Sequence, residues 1–313
     1  MIDTNSKGDE MSETIERFFA SDRKQYPLLG KGGIAHVYGL DQEKAIKLYL
    51  KYWVENEQFL QIQQQLASLV PSAVPILHTG KDEGGESYLV MERIMGSTLE
   101  SIKKIYPDLP KEMRFRVAAD LIETACQLED ARICHGDLKP KNFILDTVGY
   151  PRIVDYDRIH QLPSHRESEF AESLAGTTPS FAAPERMNFQ YTLKGDIYSV
   201  GVTLFALETK GHLLNIVAND DEMTTSDMTY MYRPSNTVLQ KQIHDVIEKH
   251  VHDLRMRTLI TEALIIDPHK RPRPRDLRHH VWKHAADRED LVKQVAMRLP
   301  EFAEAVARDN KRR

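Results

Sequence analysis

One stretch constrains this chain more than any other. His135-Gly136-Asp137-Leu138-Lys139-Pro140-Lys141-Asn142 is followed by the apolar run Phe143-Ile144-Leu145 and then by Ile153-Val154-Asp155. Two carboxylates and one side-chain amide therefore sit on short loops beside strand-like runs. Asn142 lies five residues after Asp137, and Asp155 lies 18 after it. A solvated loop is the plain reading of any one such stretch. Together, however, these groups are what phosphoryl transfer needs: a carboxylate to orient a hydroxyl and take its proton, and oxygen ligands for a divalent cation that neutralises phosphates.

The pattern around this stretch changes character along the chain. Residues 1–10 are polar and are expected to be mobile, and 11–20 read as a short helix ending in Phe18-Phe19. From Tyr26 to Leu50 the signal is β: Leu28-Leu29, His36-Val37-Tyr38 and Ala45-Ile46-Lys47-Leu48-Tyr49 predict three strands. A Gln-, Glu- and Leu-rich helix is predicted over 53–69. Two more strands follow, near Ile76–His78 and Tyr88–Glu92, across the turn Asp82-Glu83-Gly84-Gly85. After Gly96 the signal is helical. Residues 111–132 carry Val117, Leu121, Ala125 and Leu128 on one stripe. Residues 194–209 are apolar all round, the mark of a central buried helix. Two helices are predicted over 236–266, another over 276–284, and an amphipathic one over 286–308. A small β-rich lobe joined near 93–97 to a larger helical lobe is the simplest organisation.

Three features of the first part carry chemistry. Gly30-Lys31-Gly32-Gly33-Ile34-Ala35-His36-Val37 lies between two strands, where glycines let backbone N–H groups approach phosphates. The glycines lead into a strand rather than a helix, which disfavours a dinucleotide-binding βαβ unit. Lys47 shares a strand face with Ala45. A strand lysine is ordinarily solvated, but a cation placed directly after this turn reaches phosphates held by it. Glu57 is the preferred acidic partner, with Glu55 a rival, since residues two apart on a helix point to different faces. Met91-Glu92-Arg93-Ile94 closes the last strand. The backbone of Glu92 and Ile94 is placed to meet a purine edge with Met91 behind it, unless the segment is a plain connector.

Taken in order, Gly30/Gly32, Ala45-Ile46-Lys47, the His135–Asn142 loop, Asp155, Ala183-Pro184-Glu185, Asp196 and Arg271 resemble the signature set of the protein kinase family over residues 26–283. The resemblance implies an α+β, bilobal fold. Its parts are an N-terminal extension (1–24), a small lobe (25–95), a large lobe (96–284) and a C-terminal helical extension (285–313). It implies ATP and Mg²⁺ as cofactors and serine- or threonine-bearing proteins as substrates. Asp137 would orient the acceptor hydroxyl, Lys139 would touch the transferring group, and Lys47 would bind the α/β-phosphates. Asn142 and Asp155 would hold Mg²⁺. Gly30, Gly32, Gly33, Val37, Ala45, Lys47, Glu57, Met91, Glu92 and Ile94 would form the nucleotide site. Glu185 with Arg271 and Asp196 would be braces.

Two departures stand out. Gly136 replaces an arginine that in many relatives binds a phosphate on the activation segment, so strict control by that phosphate is not expected. Asp155-Tyr156-Asp157 replaces Asp-Phe-Gly, which predicts a stiffer segment. Both departures lean toward small-molecule phosphotransferases resembling aminoglycoside or choline kinases. Lys139, the segment Gly176–Glu185, Asp196–Gly201 and Asp267–Pro272 lean back toward Ser/Thr protein kinases. A catalytically weak kinase-fold binding module is a third class, disfavoured because Lys47, Asp137, Asn142 and Asp155 are all present. Ser164, Ser168, Ser173 and Thr177 are candidate autophosphorylation sites.

The bulk properties agree with this. A net charge of −5 with no long basic block argues against a nucleic-acid surface. No apolar run approaches the roughly 20 residues of a membrane span. Only Cys126 and Cys134 are present, which points to a reducing, cytoplasmic setting, with delivery to another cell left open. The three histidines His279, His280 and His284 match no zinc spacing and are expected at a solvated helix end. Oligomeric state leaves no mark in the sequence.

Overall fold

A computed structural model describes residues 4–50, 57–105, 107–146, 150–170, 177–209, 213–218 and 237–282. Glu55, Ser173, Gly176, His284 and the helix expected over 286–308 lie outside the described residues, as does the side chain of Glu57. The chain divides into two compact units. Unit 1 comprises Met1–Ser68 and Val74–Ile94, and unit 2 comprises Leu69–Ala73 and Met95–Arg313.

Unit 1 opens with helix α1 (Thr4–Ala20). The helix starts well before residue 11, so the expectation of a mobile stretch over 1–10 is corrected for residues 4–10. Strands β1 (Leu28–Lys31), β2 (Ala35–Gly39), β3 (Lys44–Tyr49), β4 (Ile76–Lys81) and β5 (Ser87–Glu92) form one antiparallel sheet in the order β1-β2-β3-β5-β4. Helix α2 (Glu57–Leu69) separates β3 from β4.

Strand β3 is buried on both faces, and its alternation explains why. Ile46 and Leu48 join Tyr88 and Val90 on one face, where Ile15 and Phe18 of α1 complete the cluster. Phe18 is fully buried and meets the rings of Phe19, Tyr26 and Tyr38 at centroid distances of 5.4, 4.8 and 5.7 Å. Such edge-on aromatic contacts add to the burial energy. Ala35, Tyr49 and Leu89 pack together on the other face, with Ile34, Ile76 and Met91 beside them.

Unit 2 begins its regular structure with β6 (Gly96–Thr98) and α3 (Leu99–Ile105). Helix α4 (Lys111–Asp130) follows, and its stripe of Val117, Leu121, Ala125 and Leu128 is buried as the spacing predicts. The loop-bearing region contains β7 (Ile133–Cys134), a 3-10 turn (Pro140–Asn142), β8 (Phe143–Asp146) and β9 (Pro151–Ile153). Beyond it come β10 (His160–Gln161), β11 (Ser168–Phe170), α5 (Pro184–Met187) and β12 (Gln190–Thr192). These short strands pair as β6-β8-β9, β10-β7 and β11-β12.

Helix α6 (Gly195–Glu208) is buried almost throughout, as its all-round apolar sequence requires. A Cβ on Gly201 would come within 2.8 Å of Ala263 Cβ, so the glycine permits close helix packing there. The remaining described helices are α7 (Leu213–Ala218), α8 (Thr237–His250), α9 (Leu254–Ala263) and α10 (Pro274–Trp282). Pro274 opens α10, two residues before the expected start. Proline is tolerated in a first turn because the missing N–H has no intrahelical partner there.

Candidate active site

The predicted site residues fall into two groups, one in each unit. In unit 1, Lys47 of β3 lies opposite Val37 of β2 and Leu89 of β5, and Ala45 lies opposite Met91. Directly paired residues on neighbouring strands project to the same side. Val37, Ala45, Lys47 and Met91 therefore share the face that carries Leu89, opposite to the face covered by α1. Lys47 is only 6% exposed, which overturns the solvated reading of a strand lysine. Its ammonium lies 5.3 Å from the centroid of the Tyr49 ring. A buried ammonium is costly unless something anionic or aromatic faces it.

Gly30 lies on β1, and Gly32 and Gly33 occupy the turn after it, where Gly32 N–H donates to Ala35 O (2.9 Å). A Cβ on Gly33 would meet nothing within 4 Å, so this part of the turn opens outward. At the end of β5, Glu92 N–H donates to Pro75 O (3.0 Å), which removes it as a donor to any ligand. Ile94 is the last residue of unit 1.

In unit 2, the His135–Asn142 loop is organised around two buried groups. Asp196, in the first turn of α6, accepts His135 N–H (2.7 Å) and Gly136 N–H (3.0 Å). Burial pushes its carboxyl above the usual carboxylate value, while the charge of His135 and the two N–H bonds act in the opposite direction. Gly136 takes φ +75°, a left-handed conformation open to glycine at little cost. A Cβ there would lie 2.8 Å from Tyr191 Cε1 and 3.1 Å from Arg158 O. The position therefore excludes arginine by both backbone and space.

Asp137 is held by Lys139, Thr178 and Asn142. Lys139 Nζ pairs with Oδ2, Thr178 N–H donates to Oδ1 (2.9 Å), and Lys139 Nζ also reaches Thr178 Oγ1 (2.6 Å). Lys139, Thr178 and the aspartate thus close a triangle. Asn142 Nδ2 donates to Asp137 O (2.9 Å). With the amide nitrogen committed, its oxygen is the end left to meet a cation. Asp155 follows β9, with Val154 N–H on Asn142 O (3.0 Å). It takes φ +70°, a conformation that Asp tolerates better than most residues and that is often found at functional sites. Asp157 has no positive φ, so the position does not need the glycine that relatives carry.

The braces form as expected. Arg271 Nη1 and Nη2 make a two-pronged pair with Glu185 Oε1 (2.7 Å) and Oε2 (2.9 Å). Arg271 also donates to the carbonyls of Ile265, Ile266 and Lys194. Among the candidate phosphorylation sites, Ser164 is exposed and Ser168 Oγ accepts from Gln190 Nε2 (2.9 Å). The Thr177 hydroxyl oxygen is buried with no partner among the described residues. That burial makes it a poor modification site in this conformation.

A layer beneath the catalytic loop carries no signal in the sequence. Tyr191 stacks on His160 (centroids 4.7 Å apart, planes 3° apart), and the Arg186 guanidinium lies over its ring at 4.3 Å. Nothing local distinguishes Tyr191 from any half-apolar strand residue. Its neighbours come from four separate segments.

The donor set fits a small, hard cation. Asn142 offers an amide oxygen and Asp155 a carboxylate, the oxygen ligands that Mg²⁺ prefers. Among the described residues no group of histidine, cysteine and acidic side chains forms another metal site, and no helix is long and apolar enough to cross a membrane. His279 and His280 lie exposed at the end of α10, as expected.

A family model described as the protein kinase domain matches residues 24–283. The chain is 32% identical over 193 residues to serine/threonine-protein kinase PrkC of Bacillus subtilis, covering 58% of this chain and 29% of that protein. It is 31% identical over 190 residues to the DNA damage-responsive serine/threonine-protein kinase RqkA of Deinococcus radiodurans, covering 57% and 28%. It is 29% identical over 216 residues to receptor-like kinase LIP1 of Arabidopsis thaliana, covering 64% and 34%. The chain thus matches about a third or less of the length of each of these relatives.

Proposed function

We propose, for a chain that belongs to the protein kinase domain family, that it transfers the γ-phosphoryl group of ATP to serine and threonine hydroxyls of proteins. The observation that carries this reading is the Asp137–Lys139–Thr178 triangle. A carboxylate fixed by a backbone N–H and a lysine is set to orient an incoming hydroxyl. The lysine is placed to follow charge onto the transferring group. Asp137 accepts the hydroxyl proton, the hydroxyl oxygen bonds to the γ-phosphorus, and ADP leaves with the bridging oxygen. Lys47 and the Gly30–Gly33 turn hold the nucleotide phosphates, and Glu92 and Ile94 meet the base. Asn142 and Asp155 would hold Mg²⁺, which supplies charge neutralisation when bound. The chemistry is mainly positioning and electrostatics.

Gly136 and Asp157 are the features shared with small-molecule phosphotransferases. Gly136 has a local explanation in the ring packed against it, and it does not demand a small acceptor. The buried thiols of Cys126 and Cys134 are both free, which supports a reducing, cytoplasmic setting.

The test is transfer of labelled γ-phosphate, with Mg²⁺, to a protein acceptor and to an aminoglycoside or choline in parallel. Label on phosphoserine or phosphothreonine is the expected outcome. Label on the small molecule alone, or mainly on tyrosine, overturns the reading. Asp137→Asn is expected to lower the rate by about 10²–10⁴ while leaving the fold intact, as loss of a general base does.

A further inference from the structure

Tyr191 touches the catalytic loop, the segment after Asp155 and α5. Its ring edge occupies the space a side chain at Gly136 would need, one residue before Asp137. Its hydroxyl donates to Arg158 O (3.1 Å), three residues after Asp155, and accepts from Arg186 Nη2 (3.3 Å) of α5. Its face stacks on His160, whose backbone pairs with Cys134 next to the loop. Burial pushes the phenol above its ordinary pKa, so the hydroxyl keeps its proton to donate.

The segment beyond Arg158 is fixed by further contacts of the same ordinary kind. Leu162 N–H donates to Arg132 O (2.9 Å). The Arg132 guanidinium reaches back to the carbonyls of Pro163 and Arg166. Glu169 joins His160 (2.8 Å) and Arg166 (3.0 Å), and β11 pairs with β12 on either side of Tyr191. Arg132 thus spends its Nη2 on two backbone carbonyls.

We propose that Tyr191 is a positioning residue that registers the Asp137 loop against the segment after Asp155 by packing and hydrogen bonding. The proposal deepens the kinase reading and rests on it for its kinetic arm alone. A hydrogen-exchange arm needs no turnover.

The full chain is assayed with ATP, Mg²⁺ and casein. Ser164→Ala, an exposed control on the same segment, is expected to keep the wild-type rate to within about twofold. Tyr191→Phe keeps the ring and removes the hydroxyl. It is expected to lower kcat about three- to tenfold, the worth of one hydrogen bond, with KM for ATP little changed. In the exchange arm, amides of 133–137 and 158–161 are expected to exchange faster in Tyr191→Phe while those of α6 do not. A general structural role would instead speed exchange across unit 2 or lower stability without splitting kcat from KM.

A Tyr191→Phe protein with wild-type kcat overturns the proposal, and so does one with unchanged exchange at both segments. If the wild type transfers no phosphate to casein or any other protein, the kinase reading fails, and the exchange result still decides the part played by Tyr191.

Discussion

Gly136 shows how one missing side chain settles a local question. The left-handed backbone at this position costs an L-residue about 1–2 kcal/mol before any clash is counted. The Tyr191 ring and Arg158 O close the space as well. Gly136→Ala is therefore expected to lower unfolding free energy by at least that amount, read by denaturant titration against the wild type. Asp155 bears a similar left-handed strain without glycine's exemption. Read from the sequence, Gly136 is a departure from a family pattern with a regulatory consequence. Its steric cause was hidden because Tyr191 lies 55 positions further along the chain.

At the scale of elements, local signals and distant ones part company. The five strands of unit 1 and helices α4, α6, α8 and α9 were readable because period and turn chemistry are written within a few residues. Strands β10, β11 and β12 were not, since two or three residues carry no period and exist only through partners far away. The early start of α1 was missed for a related reason. Asn5, Ser6 and Gly8 are weak helix formers, and the packing of Ile15 and Phe18 on the sheet anchors the element.

Capping gives a sharper case. Asp253 accepts from Arg255 N–H (3.0 Å) and Met256 N–H (3.2 Å) at the start of α9 and pairs with Lys111 (2.6 Å). Burial acts to raise its pKa, but the bond from Lys111 and the two backbone donors outweigh it and hold the carboxyl below its ordinary 3.8. A depressed carboxylate pKa means the contribution is present above the unfolded value and lost as pH falls through the folded one. Asp253→Ala is expected to cost about 1 kcal/mol near neutrality. The gap to wild type should close as melts are repeated at pH values descending below 3.8.

For the molecule as a whole, Arg271 joins segments that lie far apart along the chain. Its donors meet Glu185, 86 residues earlier, and carbonyls on both sides of the gap. Removing the cation would strand a carboxylate that is 3% exposed. Arg271→Ala is expected to lose about 3–5 kcal/mol, visible as a large drop in melting temperature. Glu185 and Arg271 were legible as partners only through a family resemblance, because no local rule joins positions so far apart. A different boundary follows from α1. The family match begins at residue 24, yet Ile46, Leu48, Tyr88 and Val90 are roofed by residues that precede it. A chain trimmed to the family's own limits would present an oily, water-facing wall on its first unit, and would have to recruit another molecule, or another copy of itself, to shelter it.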